Sequence, residues 1–301
     1  LSAQFSYSGS LNSRYADSKN NLGFNEHLFD FNVDYSTSDR IYQGWTQFEF
    51  SDPPELGRPV QELRKLRFEY LSGNMTVKIG DIYEFWGMGM TLNQVDDQAI
   101  DFDTGIRGAL FSYNNDFLKW TVLKGQTHTW KSTGLVIGFD ERVPNFDTNH
   151  DLLGTNLEYT FESGMAGINL IQSNEKHDSF DRFGAVEKKN INHIMSGAYA
   201  SFYSSRASLF VEVLKKSSKE TTTDYNEDGS GLYANLMMPL RDWSLLVEYK
   251  NYKFLTLAPT EKENFVNQFG YHADFSNPPP GYYEHTTVLN GRIARQANIN
   301  D

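Results

Sequence analysis

The chain of 301 residues has no cysteine. Disulfide frameworks, thiol catalysis, zinc fingers and iron–sulfur clusters all depend on cysteine, so the sequence excludes them. It also has no run of about 18 apolar residues, the least that a membrane-spanning helix requires. A helical membrane protein is therefore excluded. A β-barrel membrane protein is not, because its strands carry only alternating hydrophobicity.

Basic residues are scarce relative to acidic ones. The chain has 27 lysines and arginines against 39 aspartates and glutamates, which gives a formal net charge of −12. Because a nucleic-acid surface needs an excess of basic side chains to neutralise phosphates, we expect no nucleic-acid partner. Apolar residues make up 39% of the chain and aromatic residues 15%, which predicts a folded protein rather than a disordered one.

Apolar residues recur at every second position through most of the chain. Phe29, Phe31 and Val33 alternate with Asp30 and Asn32. On an extended strand this spacing places the apolar side chains on one face. The same alternation recurs near residues 42–50, 66–70, 75–79, 118–122, 157–161, 207–213, 232–238 and 243–249. The pattern predicts about 14 strands of roughly 10 residues, a length suited to an oblique crossing of a bilayer.

Short and long connections between these strands alternate along the chain. Short turns are predicted at residues 36–39, 72–74, 114–116, 163–164, 204–206 and 240–242. Long polar connections are predicted at residues 16–26, 51–61, 84–103, 127–150, 174–191, 217–228 and 254–285. This alternation is typical of membrane barrels and gives no match to a Greek-key sandwich. We therefore predict an all-β, up-and-down antiparallel transmembrane β-barrel, contacting lipid in the outer membrane of a Gram-negative bacterium.

No repeat or domain boundary interrupts the chain, so we expect one barrel domain over residues 1–301. The first strand is predicted near residues 4–14 and the last near residues 286–296. Leu1-Ser2-Ala3 is similar to the cleavage end of a secretory signal. Residues 296–301 are polar and lack the terminal aromatic strand usual in similar barrels. A fragment of a longer barrel, with 14 strands as a lower bound, is one interpretation.

The polar faces of the predicted strands point into the lumen. Seven acidic and seven basic residues fall on those faces: Asp30, Asp34, Glu49, Glu69, Glu158, Glu212, Glu248, Lys65, Arg67, Lys78, Arg107, Lys119, Lys250 and Arg292. Balanced charges inside a barrel favour cross-strand ion pairs. The balance therefore indicates a filled or mildly selective lumen rather than a strongly ion-selective pore.

The most distinctive stretch runs from residue 80 to residue 108. Nine of its residues form the candidate site, at the mouth of the lumen: Gly80, Asp81, Tyr83, Gly87, Gly89, Asp97, Asp103, Arg107 and Gly108. The stretch resembles an uncharacterised family of Gram-negative outer-membrane β-barrels, frequent in Bacteroidota-like bacteria, with the motifs G-D-x-Y-x-x-x-G-x-G and D-x-x-x-R-G. Met88 and Met90 depart from the Arg and Leu expected there. The resemblance implies location and architecture, and it supplies no substrate.

Two interpretations of this stretch stay open. Gly87 and Gly89 allow positive φ or a close backbone approach, which predicts a loop that folds back into the barrel mouth. Asp81, Asp97 or Asp103 would then pair with Arg107 and hold the loop there. Alternatively, the stretch is a bulged strand end with ordinary turn glycines.

One further segment suggests a metal. Asp224, Asn226 and Asp228, followed by Gly229, match the first half of a calcium-binding loop, in which alternating oxygens converge on the ion. The twelfth position is Asn235, where such a loop needs a bidentate glutamate. We expect no cofactor, and calcium is the only metal that the sequence suggests.

Enzyme motifs are missing from the sequence. It has no G-x-S-x-G elbow, no P-loop and no paired metal-binding histidines. His193 and Ser196 are the nearest serine–histidine pair, and their spacing puts them on opposite faces of a strand. We therefore predict a non-enzymatic protein whose role is a passive pore, transport or a scaffold.

Three other functions remain as alternatives. A barrel that transports hydrophobic substrates would have an apolar pocket lined by Trp45, Phe210 and Leu246. A secreted soluble β-protein that binds carbohydrate would use loop tryptophans for stacking. A membrane hydrolase would depend on Ser196 and His193. The solute, small and polar or hydrophobic, and the oligomeric state lie beyond the sequence.

Overall fold

The chain folds almost entirely into antiparallel strands. A computed structural model describes residues 3–17, 23–53, 60–94, 96–97, 102–131, 146–180, 186–221, 226–241 and 243–253. The strands are β1 (Gln4–Ala16), β2 (Phe24–Ser36), β3 (Arg40–Ser51), β4 (Val60–Ser72), β5 (Met75–Ile82), β6 (Phe85–Trp86), β7 (Leu92–Asn93), β8 (Asp96–Asp97), β9 (Phe102–Asp103), β10 (Ile106–Asn114), β11 (Leu118–Lys131), β12 (Phe146–Phe161), β13 (Gly164–Phe180), β14 (Val186–Tyr203), β15 (Ser208–Glu220), β16 (Asn226–Leu240) and β17 (Trp243–Lys253). Within these residues, no helix is long and apolar enough to cross a membrane.

Thirteen of these strands form one sheet in up-and-down order. Each long strand pairs with its neighbour in sequence, except that β5 pairs directly with β10. Two small two-stranded sheets, β6–β7 and β8–β9, lie in the chain between β5 and β10. The predicted all-β, up-and-down antiparallel architecture is confirmed, and so are all six predicted short turns.

Several strands extend further toward the long-loop end than the sequence predicts. Strands β11 to β16 are 13 to 18 residues long rather than about 10. The predicted long connections at residues 127–150, 174–191 and 217–228 are therefore partly wrong, because much of each is strand. These extensions are polar on both faces: Asp151 and Lys176 pair at 3.0 Å on the outer face. The ladder of hydrogen bonds continues there although the apolar alternation has ended.

The sheet curves around the chain that connects β5 to β10. We call residues 83–94, 96–97 and 102–105 the inner segment. Its Asp96 contacts Lys65 on β4, and its Met88 contacts Glu212 on β15, which stands seven strands from β4 in the sheet order. One short segment reaches both strands because the sheet wraps around it as a barrel wall.

The two faces of the wall differ in what they touch. Large apolar side chains on the outer face are exposed, among them Phe5, Phe31, Phe48, Phe68, Ile79, Trp120, Leu157, Ile168, Ile194, Val213 and Leu245. The buried apolar cluster lies inside, where wall residues meet the inner segment: Ile82, Trp86, Met90, Leu92, Ile106, Leu110, Leu123, Leu152, Ile171, Met195, Leu214 and Tyr233. From β10 to β16 the inner face therefore carries apolar residues beside buried polar ones such as His193 and Glu212, so the expected division into a polar inner and an apolar outer face holds there only in part.

The first and last described strands run in the same direction. β1 and β17 are the first and thirteenth strands of an antiparallel sheet. Antiparallel closure between them needs an odd number of further strands. The predicted total of about 14 satisfies this requirement, and the predicted last strand at residues 286–296 lies outside the described residues.

Candidate functional site

The inner segment begins where β5 makes a sharp departure from the wall. Gly80 has a φ of +107°, and a Cβ there would lie 2.0 Å from the carbonyl oxygen of Leu66. Only glycine fits such an approach. The next residue, Asp81, accepts the backbone N–H of Leu66 at 2.6 Å. The carboxylate thus replaces the ladder hydrogen bond that β5 stops providing to β4.

Asp81 also holds Arg107 at the start of β10. The guanidinium donates from Nε to Oδ1 at 3.0 Å and from Nη2 to Oδ2 at 3.2 Å, and Nη2 also donates to the carbonyl of Arg64 at 2.7 Å. Of the three acidic partners predicted for Arg107, Asp81 makes the contact. The side chain is 62% exposed. The inward placement predicted for Arg107 is wrong, because its neighbour Ile106 fills the inner position and alternation turns Arg107 outward.

A β-bulge in β4 turns two consecutive basic residues inward. Gln47 pairs with Lys65 while Phe48 pairs with Leu63, so Arg64 is the extra residue. Arg64 contacts Glu49, and Lys65 is only 1% exposed. In a regular strand these adjacent side chains would face opposite sides. The bulge therefore turns Arg64 inward beside Lys65, and the inward position that the alternation predicted for Lys65 is confirmed.

Lys65 is surrounded by the inner segment. Its ammonium contacts Asp96, lies 3.0 Å from Oδ2 of Asp103 and lies 5.3 Å from the ring centre of Tyr83. The Tyr83 hydroxyl donates to Asp103 at 3.1 Å, and the N–H of Gly105 donates to it at 2.8 Å. Two carboxylates and a ring thus balance one buried cation.

Burial changes the titration of two groups in this cluster. Burial, with Asp103 and Asp96 adding to it, raises the pKa of Tyr83, so its hydroxyl stays protonated and donates. Burial also raises the pKa of Asp96, and Lys65 opposes that shift. Burial therefore favours the protonated form of the Asp96 carboxyl group. Asp97 lies beside it in β8, where its backbone pairs with Phe102.

The turn at residues 86–90 binds a carboxylate from the far wall. Gly87 and Gly89 have φ values of +62° and +86°. In this conformation the backbone N–H of Met88 donates to Oε2 of Glu212 at 2.6 Å. A Cβ on Gly87 would lie 2.7 Å from the Glu212 carboxylate. The two glycines therefore form a concave backbone site for an anion, of the kind that left-handed residues create in loops.

Small wall residues receive the larger side chains of the inner segment. Trp86 is 2% exposed and packs against Gly154. A Cβ on Gly154 would lie 2.8 Å from the tryptophan ring. Thr91 donates to the side-chain oxygen of Asn169 at 2.8 Å, beside Gly197. These contacts fix the segment against β12, β13 and β14.

Gln94 ties the two ends of the inner segment together. Its side-chain oxygen accepts the N–H of Glu84 at 3.1 Å, and its amide donates to the carbonyl of Thr104 at 3.0 Å. Glu84 also lies 3.3 Å from the ammonium of Lys78 on the wall. The segment is therefore a folded unit with its own hydrogen bonds, closed by a buried amide.

Gly108 lets two strands approach closely at the exit of the segment. A Cβ there would lie 2.1 Å from the carbonyl oxygen of Lys124 and 2.5 Å from the Cα of Gly125. Gly80, Gly108 and Gly125 are neighbours across β5, β10 and β11. Of the nine predicted site residues, five lie in the inner segment, Gly80, Asp81 and Gly108 lie on the wall strands at its two ends, and the Arg107 side chain points outward.

Two of the three residues predicted to bind calcium lie at the start of a strand. Asn226 and Asp228 lie at the start of β16, paired with Lys219 and Ser217 of β15, and Asp224 lies outside the described residues. In the described part of the chain, no three acidic or histidine side chains converge as a metal site.

His193 takes part in a buried network that the sequence did not reveal. Its Nδ1 lies 2.8 Å from Oγ of Ser218, and its Nε2 lies 2.7 Å from Oε2 of Glu175. Both His193 and Glu175 are fully buried on the inner face, whereas Ser196 is exposed on the outer face. The prediction that His193 and Ser196 face opposite sides is confirmed. The partners come from β13 and β15, and no local spacing relates them.

The residues proposed for a hydrophobic pocket lie apart along the wall. Trp45 is on β3 with the Arg67 guanidinium over its ring, Phe210 is on β15 against the rings of Tyr199 and Tyr233, and Leu246 is on β17 and exposed. An apolar groove of about 540 Å³ lies elsewhere, lined by Trp120, Leu157, Ile168 and Leu170 among others. These four side chains belong to the outer face of β11, β12 and β13.

Comparison with known proteins places the sequence in one family. The profile of a family of unknown function, DUF6029, matches residues 7–277. A search of curated proteins finds no match. The match confirms the expectation of an uncharacterised family.

Several solved structures are similar in fold at low identity. OmpT, an outer membrane protein of Vibrio cholerae in its trimer form, is 13% identical, with 83% of this chain and 88% of that chain covered and a TM-score of 0.39. OmpF of Salmonella typhi in complex with daunomycin is 10% identical, with 87% and 93% covered and a TM-score of 0.40. An anion-selective porin from Comamonas acidovorans is 11% identical, with 85% and 91% covered and a TM-score of 0.36.

Proposed function

The chain belongs to the family of unknown function DUF6029, and we propose that it is a non-enzymatic outer-membrane β-barrel that passes small solutes through a partly filled lumen. The source, on this proposal, is a Gram-negative bacterium of the Bacteroidota-like kind. The G-D-x-Y-x-x-x-G-x-G stretch would mark the family, because its residues build and anchor the inner segment.

The distribution of exposed apolar side chains supports the membrane location and carries the proposal. Phe31, Trp120, Leu157 and Ile168 are exposed on the outer face, while Lys65 and Glu212 are buried inside. In water, exposing such a continuous apolar surface would raise the free energy of the folded protein. In a bilayer the same surface contacts lipid tails, and the apolar groove beside Trp120 is filled by them.

The apolar band has a clear limit near the long-loop end. On β12, Leu157 and Leu153 face outward, and the next outward residue, Asp151, pairs with Lys176. A charged pair on the outer face destabilises a protein in hydrocarbon but is well tolerated in water. The wall above Leu153 would therefore project beyond the membrane.

The position of the inner segment supports a restricted path rather than an open one. It packs through Trp86, Met90 and Leu92 against the β10–β16 side of the wall. The inner face of β1 has no such cover, since its side chains Ser6, Ser8 and Ser10 are exposed. Solute would pass between the inner segment and β1–β3.

Reconstitution into planar bilayers tests the proposal. We expect discrete single-channel currents, and sodium dodecyl sulfate gels should show heat-modifiable migration of a folded barrel. A variant that lacks residues 86–92 should conduct more than the wild type, because it loses the side chains that fill the lumen. A chain that stays folded and monomeric in detergent-free buffer, or that inserts without any conductance, would contradict the proposed pore function.

A further inference from the structure

The inner face of β1–β3 presents a regular array of hydrogen-bonding side chains. Cross-strand register places them in three rows: Ser10–Asp30–Gln47, Ser8–Asn32–Trp45 and Ser6–Asp34–Gln43. Adjacent rows are two residues apart along each strand, so the array extends about 14 Å along the wall. Gln47, at the end of the first row, is buried beside Lys65, and the rest of the array lies on the side of the lumen that the inner segment leaves uncovered.

The first and third rows each pair an amide side chain with a carboxylate. Nε2 of Gln47 donates to Oδ1 of Asp30 at 3.0 Å, and Nε2 of Gln43 donates to Oδ1 of Asp34 at 2.9 Å. Ser10 donates to the second oxygen of Asp30 at 3.4 Å. A carboxylate has about four acceptor sites, and one or two bonds leave some open. The Gln43–Asp34 pair, whose amide is exposed, thus presents donors and acceptors side by side, whereas the buried Gln47 orients the half-buried Asp30.

The middle row contains an aromatic ring. Trp45 is half-buried, and the guanidinium carbon of Arg67 lies 5.3 Å from its ring centre. Arg67 is itself paired with Glu69 at 2.8 Å, so its charge is compensated. Arg67 therefore covers one face of the Trp45 ring, and the rest of this half-buried aromatic surface lies between the two polar rows.

We propose that this array binds a neutral polyhydroxylated solute, an oligosaccharide, on its way through the lumen; the inference rests on the proposed pore. A sugar hydroxyl is both donor and acceptor, which matches adjacent amide and carboxylate groups. The C–H face of a sugar ring is apolar and stacks on an aromatic ring. Pore selectivity arises from such linings of hydrogen-bonding groups.

Current block by linear glucose oligomers tests the inference. Glucose, maltotriose and maltohexaose are added to single channels, with a polyethylene glycol of similar size as the probe that lacks hydroxyl donors along its length. We expect maltohexaose to block at lower concentration than the shorter sugars. Trp45→Ala should raise the half-blocking concentration about tenfold, which corresponds to about 1.4 kcal/mol, and Trp45→Phe should restore much of the block.

Phe31→Ala is the matched control. Phe31 lies on β2 between Asp30 and Asn32 but faces outward, so its removal should leave the block unchanged. Heat-modifiable migration verifies the folding of each variant. Currents that maltohexaose and polyethylene glycol reduce equally, or equal block of wild type and Trp45→Ala, would overturn the inference and leave the pore intact.

A second measurement separates the two proposals. If wild-type protein shows no current, the proposed pore fails, and calorimetric titration of the detergent-solubilised chain with maltohexaose then decides the inference. Binding that Trp45→Ala abolishes and Phe31→Ala preserves would support it. Binding of divalent cations alone, without any heat from the sugar, would overturn it.

Discussion

The backbone N–H of Met88 donates to the carboxylate of Glu212 at 2.6 Å, across 124 residues of sequence. Glu212 is fully buried in the wall of the barrel. A buried carboxylate is costly unless charge-assisted hydrogen bonds satisfy it. The inner segment supplies one through a turn whose two glycines adopt positive φ. The wall and the segment therefore stabilise each other, since neither group is satisfied alone.

Removing this contact should loosen the inner segment. Glu212→Leu leaves the Met88 N–H without its acceptor, and we expect the free energy of unfolding to fall by about 1.5–3 kcal/mol. Glu212→Gln keeps an acceptor oxygen and should cost less. Denaturant titration in lipid vesicles, followed by tryptophan fluorescence, measures both. Equal stability of wild type and Glu212→Leu would contradict the role of this contact.

Asp103 and Asp96 should differ in importance although both contact Lys65. Asp103 also accepts from Tyr83 and Gly105, so Asp103→Asn should cost about 1–3 kcal/mol and Asp96→Asn less. Because the pKa of Asp96 is raised, the folded chain holds its proton more tightly than the unfolded chain. That contribution is present at low pH and is lost as pH rises through the folded pKa.

The Asp96→Asn variant lacks this titration. The stability of the wild type, relative to that variant, should therefore decline as pH rises through the pKa of Asp96. Unfolding curves of the two proteins across a pH series give the difference directly. A stability advantage of the wild type that instead grows as the pH rises would show that Lys65 outweighs burial.

Gly108 should tolerate no side chain. Gly108→Ala places a Cβ 2.1 Å from the Lys124 carbonyl oxygen, so β10 and β11 must separate. We expect a loss of about 1–3 kcal/mol or failure to fold. Gly44→Ala is the control, since the nearest atom to its Cβ is 4.0 Å away. Heat-modifiable migration and unfolding midpoints compare the two, and equal behaviour would contradict the close approach of the strands.

The outline of the wall follows from local chemistry. Alternation at Phe29, Phe31 and Val33 and the turn residues between strands predict the sheet order, because strand faces and tight turns depend on neighbours in sequence. The strand ends were predicted too short because Asp151 and Lys176 carry no apolar signal. Their outer face is polar and their inner face buries polar side chains such as Glu175, so the backbone hydrogen-bond ladder defines them instead of an apolar alternation.

The inner segment was predictable only in part. Gly87 and Gly89 predict an unusual backbone, and one of the two interpretations placed the loop in the mouth of the barrel. Lys65 and Glu212 were predicted to face the lumen, but their contacts with Asp96 and Met88 were not, because no local pattern relates residues so distant in sequence. Apolar residues such as Leu123 on the inner face make sense only once Trp86 and Met90 lie against them.

A charge on the outer face should report the lipid contact. Leu157 lies between Trp120 and Ile168 in the apolar band, so Leu157→Arg should destabilise the barrel in bilayers by about 2–4 kcal/mol. Gln43→Arg, on the exposed inner face, is the control and should cost far less. Unfolding in vesicles compares them. A neutral effect of Leu157→Arg would indicate that this face meets water.

The network around His193 should be structural rather than catalytic. His193 bonds Ser218 and Glu175 on the two flanking strands and is fully buried, so His193→Ala leaves a buried carboxylate with fewer partners. We expect the free energy of unfolding to fall by about 2–4 kcal/mol. Ser196→Ala, on the exposed outer face, should change it little.

Hydrolysis of a p-nitrophenyl ester separates this role from that of a membrane hydrolase. Wild type, Ser218→Ala and His193→Ala should all show only the background rate, because a fully buried imidazole cannot reach a substrate. His193→Gln should recover part of the stability, since an amide both donates and accepts. Ester hydrolysis that disappears in Ser218→Ala while stability is retained would instead make Ser218 a nucleophile with His193 as its base.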